Sequence, residues 1–329
     1  MQGLAPIACL IGPTASGKSS LALQWALHHR QARGQAVEII SLDSTQVYRG
    51  LDIGSAKPTA QERAQVAHHL LDCCDPEDSY SVAQCHADTL QAALAIQARG
   101  HRPLIVGGTM LYFKALWQGL DDLPSTPESI RQAIGQQAQV LGWPALHAQL
   151  AQVDPQTAGR LDPNDAQRIS RALEVHAHTG QSLSHWIAQS QREGRGLPAL
   201  PLRVLALLPS RRDWLHERIA RRFEAMVAAG LLEEVRQLQA RPGLRADHPS
   251  MRSVGYRQAW EHLKGQTDQA SFVQKGIEAS RQLAKRQITW LRSFEQTAQV
   301  AQLEYRSVDP CELDEHQLMT VCGESFGRS

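Results

Sequence analysis

"LIGPTASGKSSLAL" (residues 10–23) decides the fold. Gly12, Gly17, Lys18 and Ser19 satisfy the spacing G-x-x-x-x-G-K-[ST], after an apolar run, "IACLIG" (7–12), and before a helical pattern, "SSLALQWALHHRQARG" (19–34). A strand feeding a glycine-rich turn into a helix is the setting in which this spacing holds phosphate. Gly12, Pro13, Thr14, Ala15, Ser16, Gly17, Lys18 and Ser19 are therefore a candidate phosphate cradle. Its glycines let backbone N–H groups turn inward, the helix start adds partial positive charge, and Lys18 adds a full one. The Ser19 hydroxyl is placed to ligate Mg²⁺ bridging two phosphates. Such a loop specifies a diphosphate-like group with a metal and leaves open what the phosphates are attached to.

Working outward, "EIISLD" (38–43) and "PLIVGG" (103–108) are near-continuous apolar runs, the pattern of strands buried on both faces of a parallel sheet. "VAQCHADTLQAALAIQARG" (82–100) supplies a helix between them, so strand and helix alternate. That alternation predicts an α/β fold, a P-loop-type parallel sheet flanked by helices. Two stretches rich in Gly, Pro and Asp, "GLDDLPSTP" (119–127) and "REGRGLPALP" (192–201), read as hinges around a mostly helical insertion. Its clearest helix is "DAQRISRALEVHAHTG" (165–180), closed by Gly180. "RVLALLPS" (203–210) then resumes the sheet, and helices dominate from Asp213 to Phe294. The expected division is core 1–121, helical insertion 122–200, core 201–295 and an acidic tail 296–329 in which no motif can be placed.

The bulk numbers fit a soluble, cytoplasmic protein: 329 residues, 42% hydrophobic and 20% charged, with six cysteines but no C-x-x-C pair. No run is long and apolar enough to span a bilayer, and "MQGLAPIACLIG" lacks the basic start of a signal peptide. The net charge of +1 hides an asymmetry. Residues 203–292 carry 17 basic against 9 acidic side chains, and residues 293–329 carry 2 against 7. A basic block followed by an acidic tail suits a face that meets a polyanion, though a solvated charged surface has the same composition.

The usual companions of a nucleotide site are weak. The third strand ends in Gly107-Gly108-Thr109 where an Asp would normally hold the metal, and no N-K-x-D reads guanine. Asp43 instead stands at the carboxyl end of the second strand. Ligands of open α/β sheets bind beyond those ends, so Asp43 and Thr109 are expected to face the loop.

Three motifs together resemble the tRNA dimethylallyltransferases, also called tRNA isopentenyltransferases: "GPTASGKS" (12–19), "LDSTQVYRGLDIGSAKP" (42–58) and "VGGTMLYFKALWQGL" (106–120). The likeness continues through "DAQRISRALEVHAHTG", "SVGYRQAWEHL" (253–263) and "RQLAKRQITWLR" (281–292), in order, over roughly residues 7 to 295. It implies transfer of a dimethylallyl group from dimethylallyl diphosphate to N6 of adenosine 37 in the tRNA anticodon loop, with Mg²⁺ as cofactor and diphosphate as leaving group. It also implies that Asp43 accepts the N6 proton, that Lys18 stabilises the leaving group, and that Thr109 contacts the diphosphate or holds the reacting centre. Arg218 and Arg222 are donor-clamp candidates that read equally well as a solvated helix face. The resemblance carries tRNA contact onto Asp43, Ser44, Thr45, Gln46, Thr109, Arg131, Gln167, Arg168, Ile169, Ser170, Arg171, Arg252, Ser253, Val254, Gly255, Tyr256 and Arg257, then Lys285, Arg286, Gln287, Ile288, Thr289, Trp290, Leu291 and Arg292. The anticodon stem-loop is the expected partner of a monomer, with no membrane.

Residues 273–294 show independently how one helix can serve two surfaces. At about 100° per residue, Ile277, Ala284, Ile288 and Leu291 share an apolar stripe, and Arg281, Lys285 and Arg292 lie beside it with no acid among them. Trp117, Trp143, Trp186 and Trp260 read as packing residues, and the Cys73–Cys74 pair as structural. The rival functions are an ATP-dependent small-metabolite kinase and a nucleotide-regulated RNA-binding module, neither of which needs a prenyl donor.

Overall fold

The computed structural model describes residues 5–194, 196–301 and 304–327. Arg195 of the second predicted hinge and residues 1–4 of the amino-terminal reading lie outside them. The chain forms two compact units, residues 1–118 with 200–329, and residues 119–199.

The first unit opens with β1 (Ile7–Ile11), α1 (Lys18–Arg33), β2 (Val37–Leu42), α2 (Ala60–Gln65), β3 (His68–His69), α3 (Val82–Ala98), β4 (Arg102–Gly107) and α4 (Met110–Gln118). The second unit is helical: α5 (Glu128–Leu141), α6 (Trp143–Val153), α7 (Pro155–Ala158), α8 (Ala166–Thr179) and α9 (Leu183–Glu193). The first unit resumes with β5 (Leu202–Leu207), α10 (Arg212–Ala228), α11 (Leu231–Gln239), α12 (Tyr256–Leu263), α13 (Gln269–Ala301), β6 (Tyr305–Val308) and α14 (Glu315–Phe326).

Among the described residues six strands pair in the order β3-β2-β4-β1-β5-β6, every pairing parallel. β1 and β2 are buried along their whole length, as apolar runs covered on both faces must be. Gly107 pairs with Ile11 on one side and Leu42 on the other, so the chain leaves β1, β4 and β2 in one row. That row aligns the phosphate loop, Gly108-Thr109 and Asp43 at the carboxyl edge of the sheet. The crevice there is the expected ligand position.

The carboxyl-terminal stretch, read from sequence only as an acidic tail with no placeable motif, carries two ordered elements. β6 adds a parallel strand beside β5, and α14 packs on α1, burying Cys322 and Phe326 with Trp25. The Trp25 and Phe326 ring centroids are 5.3 Å apart. β6 is only four residues long with a half-exposed pattern, too short for periodicity to reveal it. In the second unit, Ile134, Leu146, Leu150, Ala158, Ile169 and Ala172 form a separate core. The Asp165 carboxylate caps α8 by accepting from the Arg168 amide at 3.2 Å.

At the amino-terminal edge of the sheet, buried Glu38 accepts from Arg99 at 2.8 Å and from His69 and His101 at 2.6 Å each. Burial alone would raise its pKa, but these three donors together hold it down to about 2. A depressed carboxylate pKa contributes stability above its unfolded value of about 4.5, lost as pH falls toward 2. Glu38→Gln is therefore expected to lower the unfolding temperature at pH 7, and the gap from wild type should close below about pH 4. A gap that persists unchanged to pH 2.5 would contradict this role for the charge.

Candidate active site

Gly12 to Ser19 curl between β1 and α1 in a path that needs Gly17 at φ 94° and Ala15 at φ 61°. The Lys18 ammonium donates to the Pro13 carbonyl at 3.2 Å, folding back over the loop. Burial lowers its pKa from 10.5 to about 8, with Arg222 adding to the fall and Asp43 opposing it. Such a half-buried cation is partly desolvated and crowded by a second cation, which favours an incoming anion. Arg218 braces the loop from outside: its Nε donates to the Ala15 carbonyl at 2.8 Å while its guanidinium lies 4.6 Å from the Trp214 ring centroid. The Ser16 hydroxyl is buried in the loop without a partner among the described residues.

Asp43 leaves the end of β2 in a tight side-chain turn. Its Oδ1 accepts from the Thr45 amide at 2.8 Å and the Gln46 amide at 3.3 Å. No hydrogen bond engages Oδ2 among the described residues, so one carboxylate oxygen is anchored and the other can take a proton. Thr109 holds the same turn from β4: its Oγ1 accepts from the Ser44 amide at 3.0 Å and donates to Ser44 Oγ at 3.3 Å. Thr109 thus positions the Asp43 turn, a more specific arrangement than the two roles the resemblance offered.

Three linked recesses meet around Arg222, and two of them reach Asp43. A cavity of about 330 Å³ is lined by Gly17, Lys18, Ser19, Arg218, Arg221 and Arg222, a cradle for phosphate oxygens. A second, of about 320 Å³, shares Lys18, Ser19 and Arg222 and extends past Asp43 and Thr109 to Leu111 and Trp290. A third, of about 100 Å³, shares Thr14, Asp43, Thr45 and Arg222 and is walled by Ile219, Phe223, Met226 and Val254. Arg222 lines all three, and burial lowers its pKa against the pull of Asp43.

Among the described residues no group of three His, Cys, Asp or Glu side chains converges to hold a metal. Ser19 is exposed in the cradle, and among the described residues its hydroxyl makes no hydrogen bond. One hard oxygen donor beside a phosphate site fits Mg²⁺, which keeps several waters and takes phosphate oxygens as ligands.

The structure departs from the expected RNA-contact residues at several positions. Ile169, Tyr256 and Leu291 are fully buried, so their side chains cannot reach RNA. Gln46 spends its amide on the Ser55 and Ala56 carbonyls at 3.2 Å. Ile288 packs against the helical core, and Thr289 bonds back to the Lys285 carbonyl. In the second unit, Ser170 donates to Glu174, and Arg171 donates to Thr126 and the Pro124 carbonyl, both within 2.8 Å. Arg131 pairs with Glu128 and Arg168 with Asp165, while Gln167 is exposed. Ser253 accepts from Thr45 at 3.3 Å, and Val254 and Gly255 line the small recess. Arg252, Lys285 and Arg292 are exposed and, among the described residues, make no ion pair, and Arg257 pairs with Glu261 at 3.4 Å. Arg286 and Trp290 line the central recess.

Gln287 is the largest correction. It is buried, its Oε1 accepts from the Thr14 amide at 2.9 Å, and its Nε2 donates to the Gly108 carbonyl at 2.7 Å. It therefore bolts the phosphate loop to the end of β4. Gly108 is obligatory beneath it, since an added Cβ would come within 2.8 Å of Gln287 Nε2 and 3.0 Å of the Gly12 carbonyl. Gln287→Ala is expected to raise the donor KM about tenfold, the effect of one hydrogen-bonded contact to a buried group. Unchanged donor KM with weakened tRNA binding would instead return Gln287 to the RNA surface.

Two further residues were not among the expected site residues. Glu234 on α11 accepts from the Asp52, Ile53 and Gly54 amides and from the Tyr256 hydroxyl, at 2.6 to 3.2 Å. Lys57 is buried between the Tyr48 carbonyl and the carboxylates of Asp52 and Asp72. Together they fix the loop that walls the small recess.

Residues 46–294 match the IPP transferase family. The chain is 56% identical over 291 residues to the tRNA dimethylallyltransferase of Cupriavidus taiwanensis, covering 88% of each. It is 54% identical over 288 residues to the enzyme of the same name from Burkholderia cenocepacia, covering 88% of this chain and 87% of that one. The crystal structure of the tRNA isopentenylpyrophosphate transferase of Bacillus halodurans superposes with a TM-score of 0.65 at 31% identity, over 98% of this chain and 96% of that one. With the phosphate loop, Asp43 and Thr109 meeting at one crevice, the chain belongs to the IPP transferase family.

Proposed function

We propose that this chain transfers the dimethylallyl group of dimethylallyl diphosphate to N6 of adenosine 37 in the anticodon loop of tRNA, releasing diphosphate. The observation that carries the reading is the unengaged Oδ2 of Asp43 in a crevice continuous with the Lys18 cradle. Breaking the allylic C–O bond leaves negative charge on diphosphate and positive charge on the five-carbon group. Lys18, Arg222 and the loop amides would stabilise the anion, electrostatic help of several kcal/mol in a site shielded from water. Ser19 would hold Mg²⁺, which when bound neutralises charge on the departing diphosphate. Adenine N6 is a weak nucleophile because its lone pair is delocalised into the ring. Asp43 would accept its proton as the new C–N bond forms, an effect worth about 10²- to 10⁴-fold. The adenine must leave the stack to reach that carboxylate, at a cost of a few kcal/mol and less in a loop than in a duplex.

The test is diphosphate release in the presence of Mg²⁺. It should require both dimethylallyl diphosphate and unmodified tRNA, and ATP should not replace the donor. ATP turnover without RNA would favour a kinase. Among the described residues no helix is long and apolar enough to cross a membrane.

A further inference from the structure

A chamber of about 80 Å³ is lined by residues of α1, β2, α2 and β3, and shares Ser19, Ser41, Gln46 and Val106 with the central recess. It is large enough for a few waters, each of which takes about 30 Å³ in the liquid. Two of its polar side chains are spent within the protein. The Ser41 hydroxyl donates to Gln46 Oε1 at 2.7 Å, and Gln46 Nε2 holds the Ser55 and Ala56 carbonyls. Three others keep an oxygen or nitrogen to offer. His68 Nδ1 lies 2.8 Å from the Val66 carbonyl, which can only accept, so the ring proton sits there and Nε2 keeps its lone pair. Burial lowers the pKa of this ring against the pull of the Val66 carbonyl and the Glu62 carboxylate, which keeps it neutral. Glu62 Oε2 accepts from the Thr59 amide at 2.7 Å and the Thr59 hydroxyl at 2.8 Å, closing the cap of α2. Among the described residues no hydrogen bond engages His68 Nε2, Glu62 Oε1 or the Ser19 hydroxyl.

We propose that Glu62 and His68 are positioning residues for a divalent cation at Ser19, whose water shell they orient from this chamber. Ser19 lines the chamber, the phosphate cradle and the central recess, so an ion on its hydroxyl can meet diphosphate and water together. Mg²⁺ gives up water reluctantly and keeps several in its octahedral shell. The ion polarises those waters so that their O–H groups point outward and need acceptors. A neutral imidazole nitrogen and a carboxylate oxygen supply two, and such outer partners fix the orientation of a metal's ligands. One carboxylate and one imidazole are too few to chelate the ion themselves, which is why the hold runs through water. The ion's place beside diphosphate rests on the proposed transfer reaction; the two unspent acceptors facing Ser19's chamber do not.

The experiment titrates the full-length protein with Mn²⁺, a paramagnetic substitute for Mg²⁺, in the presence of inorganic diphosphate, and reads free Mn²⁺ by electron paramagnetic resonance. Wild type is compared with His68→Asn and Glu62→Gln. Asparagine can still donate to the Val66 carbonyl but has nothing in the place of Nε2, and glutamine can still accept from Thr59 but carries no charge. Each variant is expected to bind Mn²⁺ about tenfold more weakly, the low end for loss of an outer partner. Diphosphate affinity without metal should not change. His68→Gln, whose amide reaches the place of Nε2, should lose less than His68→Asn. Unchanged Mn²⁺ affinity in both variants overturns the proposal, and a loss in one alone overturns it for the other residue. Wild type that binds Mn²⁺ with diphosphate yet transfers no prenyl group sinks the transferase reading and leaves this site standing. Wild type that binds no Mn²⁺ with diphosphate overturns this site whether or not transfer occurs. Should the variants not fold, carbethoxylation of His68 in the wild type, read by peptide mass, decides. Protection by Mn²⁺ and diphosphate together supports the site, and equal labelling with and without them overturns it.

Discussion

Asp43→Asn is expected to slow single-turnover transfer by about 10²- to 10⁴-fold, the range of a lost general base. Binding of tRNA should stay within about threefold, well under the tenfold that corresponds to 1.4 kcal/mol. The substitution separates chemistry from architecture. An amide oxygen can still accept from the Thr45 and Gln46 amides, so the turn that Thr109 secures should persist. What is lost is the oxygen with no protein partner, the one able to take a proton from N6. A variant with strongly weakened tRNA binding and a normal single-turnover rate would show that Asp43 recognises RNA without acting in the bond change.

Lys18→Met should lower the chemical rate by about 10²- to 10³-fold, the effect of removing one preorganised charge-stabilising donor. The wild-type lysine carries a pH signature that tests the same role. In the free protein its pKa is lowered to about 8, chiefly by burial. A bound diphosphate raises it again, so binding above pH 8 must take up a proton. Donor affinity should be level below about pH 8 and then fall up to tenfold per pH unit, while tRNA affinity follows no such break. Donor affinity that stays level to pH 9.5 would mean that the Lys18 charge does not face the diphosphate.

The parts of the site legible in the sequence are those whose chemistry is local. Gly12 to Ser19 declare their purpose through spacing alone, and Asp43 and Thr109 follow because parallel strands end where ligands bind. Two of the residues that hold the loops of the site in place come from far along the chain. Gln287 reaches Thr14 across 273 positions and Glu234 reaches Gly54 across 180. Neither distance leaves a trace in helical or strand periodicity. The one available hint was a glutamine three residues beyond Ala284 and four before Leu291, on a helix side that is otherwise apolar. The basic helix was similarly half legible. Its apolar stripe predicted burial of Ile277, Ala284, Ile288 and Leu291; the core contains the first two and Leu291, and Ile288 is half-buried against it. That Arg281 would line a recess with the start of α10 depended on where α10 packs, which no pattern within α13 encodes.

The central claim is a covalent change to a base, and mass measures it most directly. Unmodified tRNA incubated with the protein, Mg²⁺ and dimethylallyl diphosphate is digested with ribonuclease, and the fragments are weighed. One added C5H8 unit is expected on the fragment carrying adenosine 37, in step with diphosphate release. Unchanged fragments under conditions where the protein binds both tRNA and donor would contradict the claim.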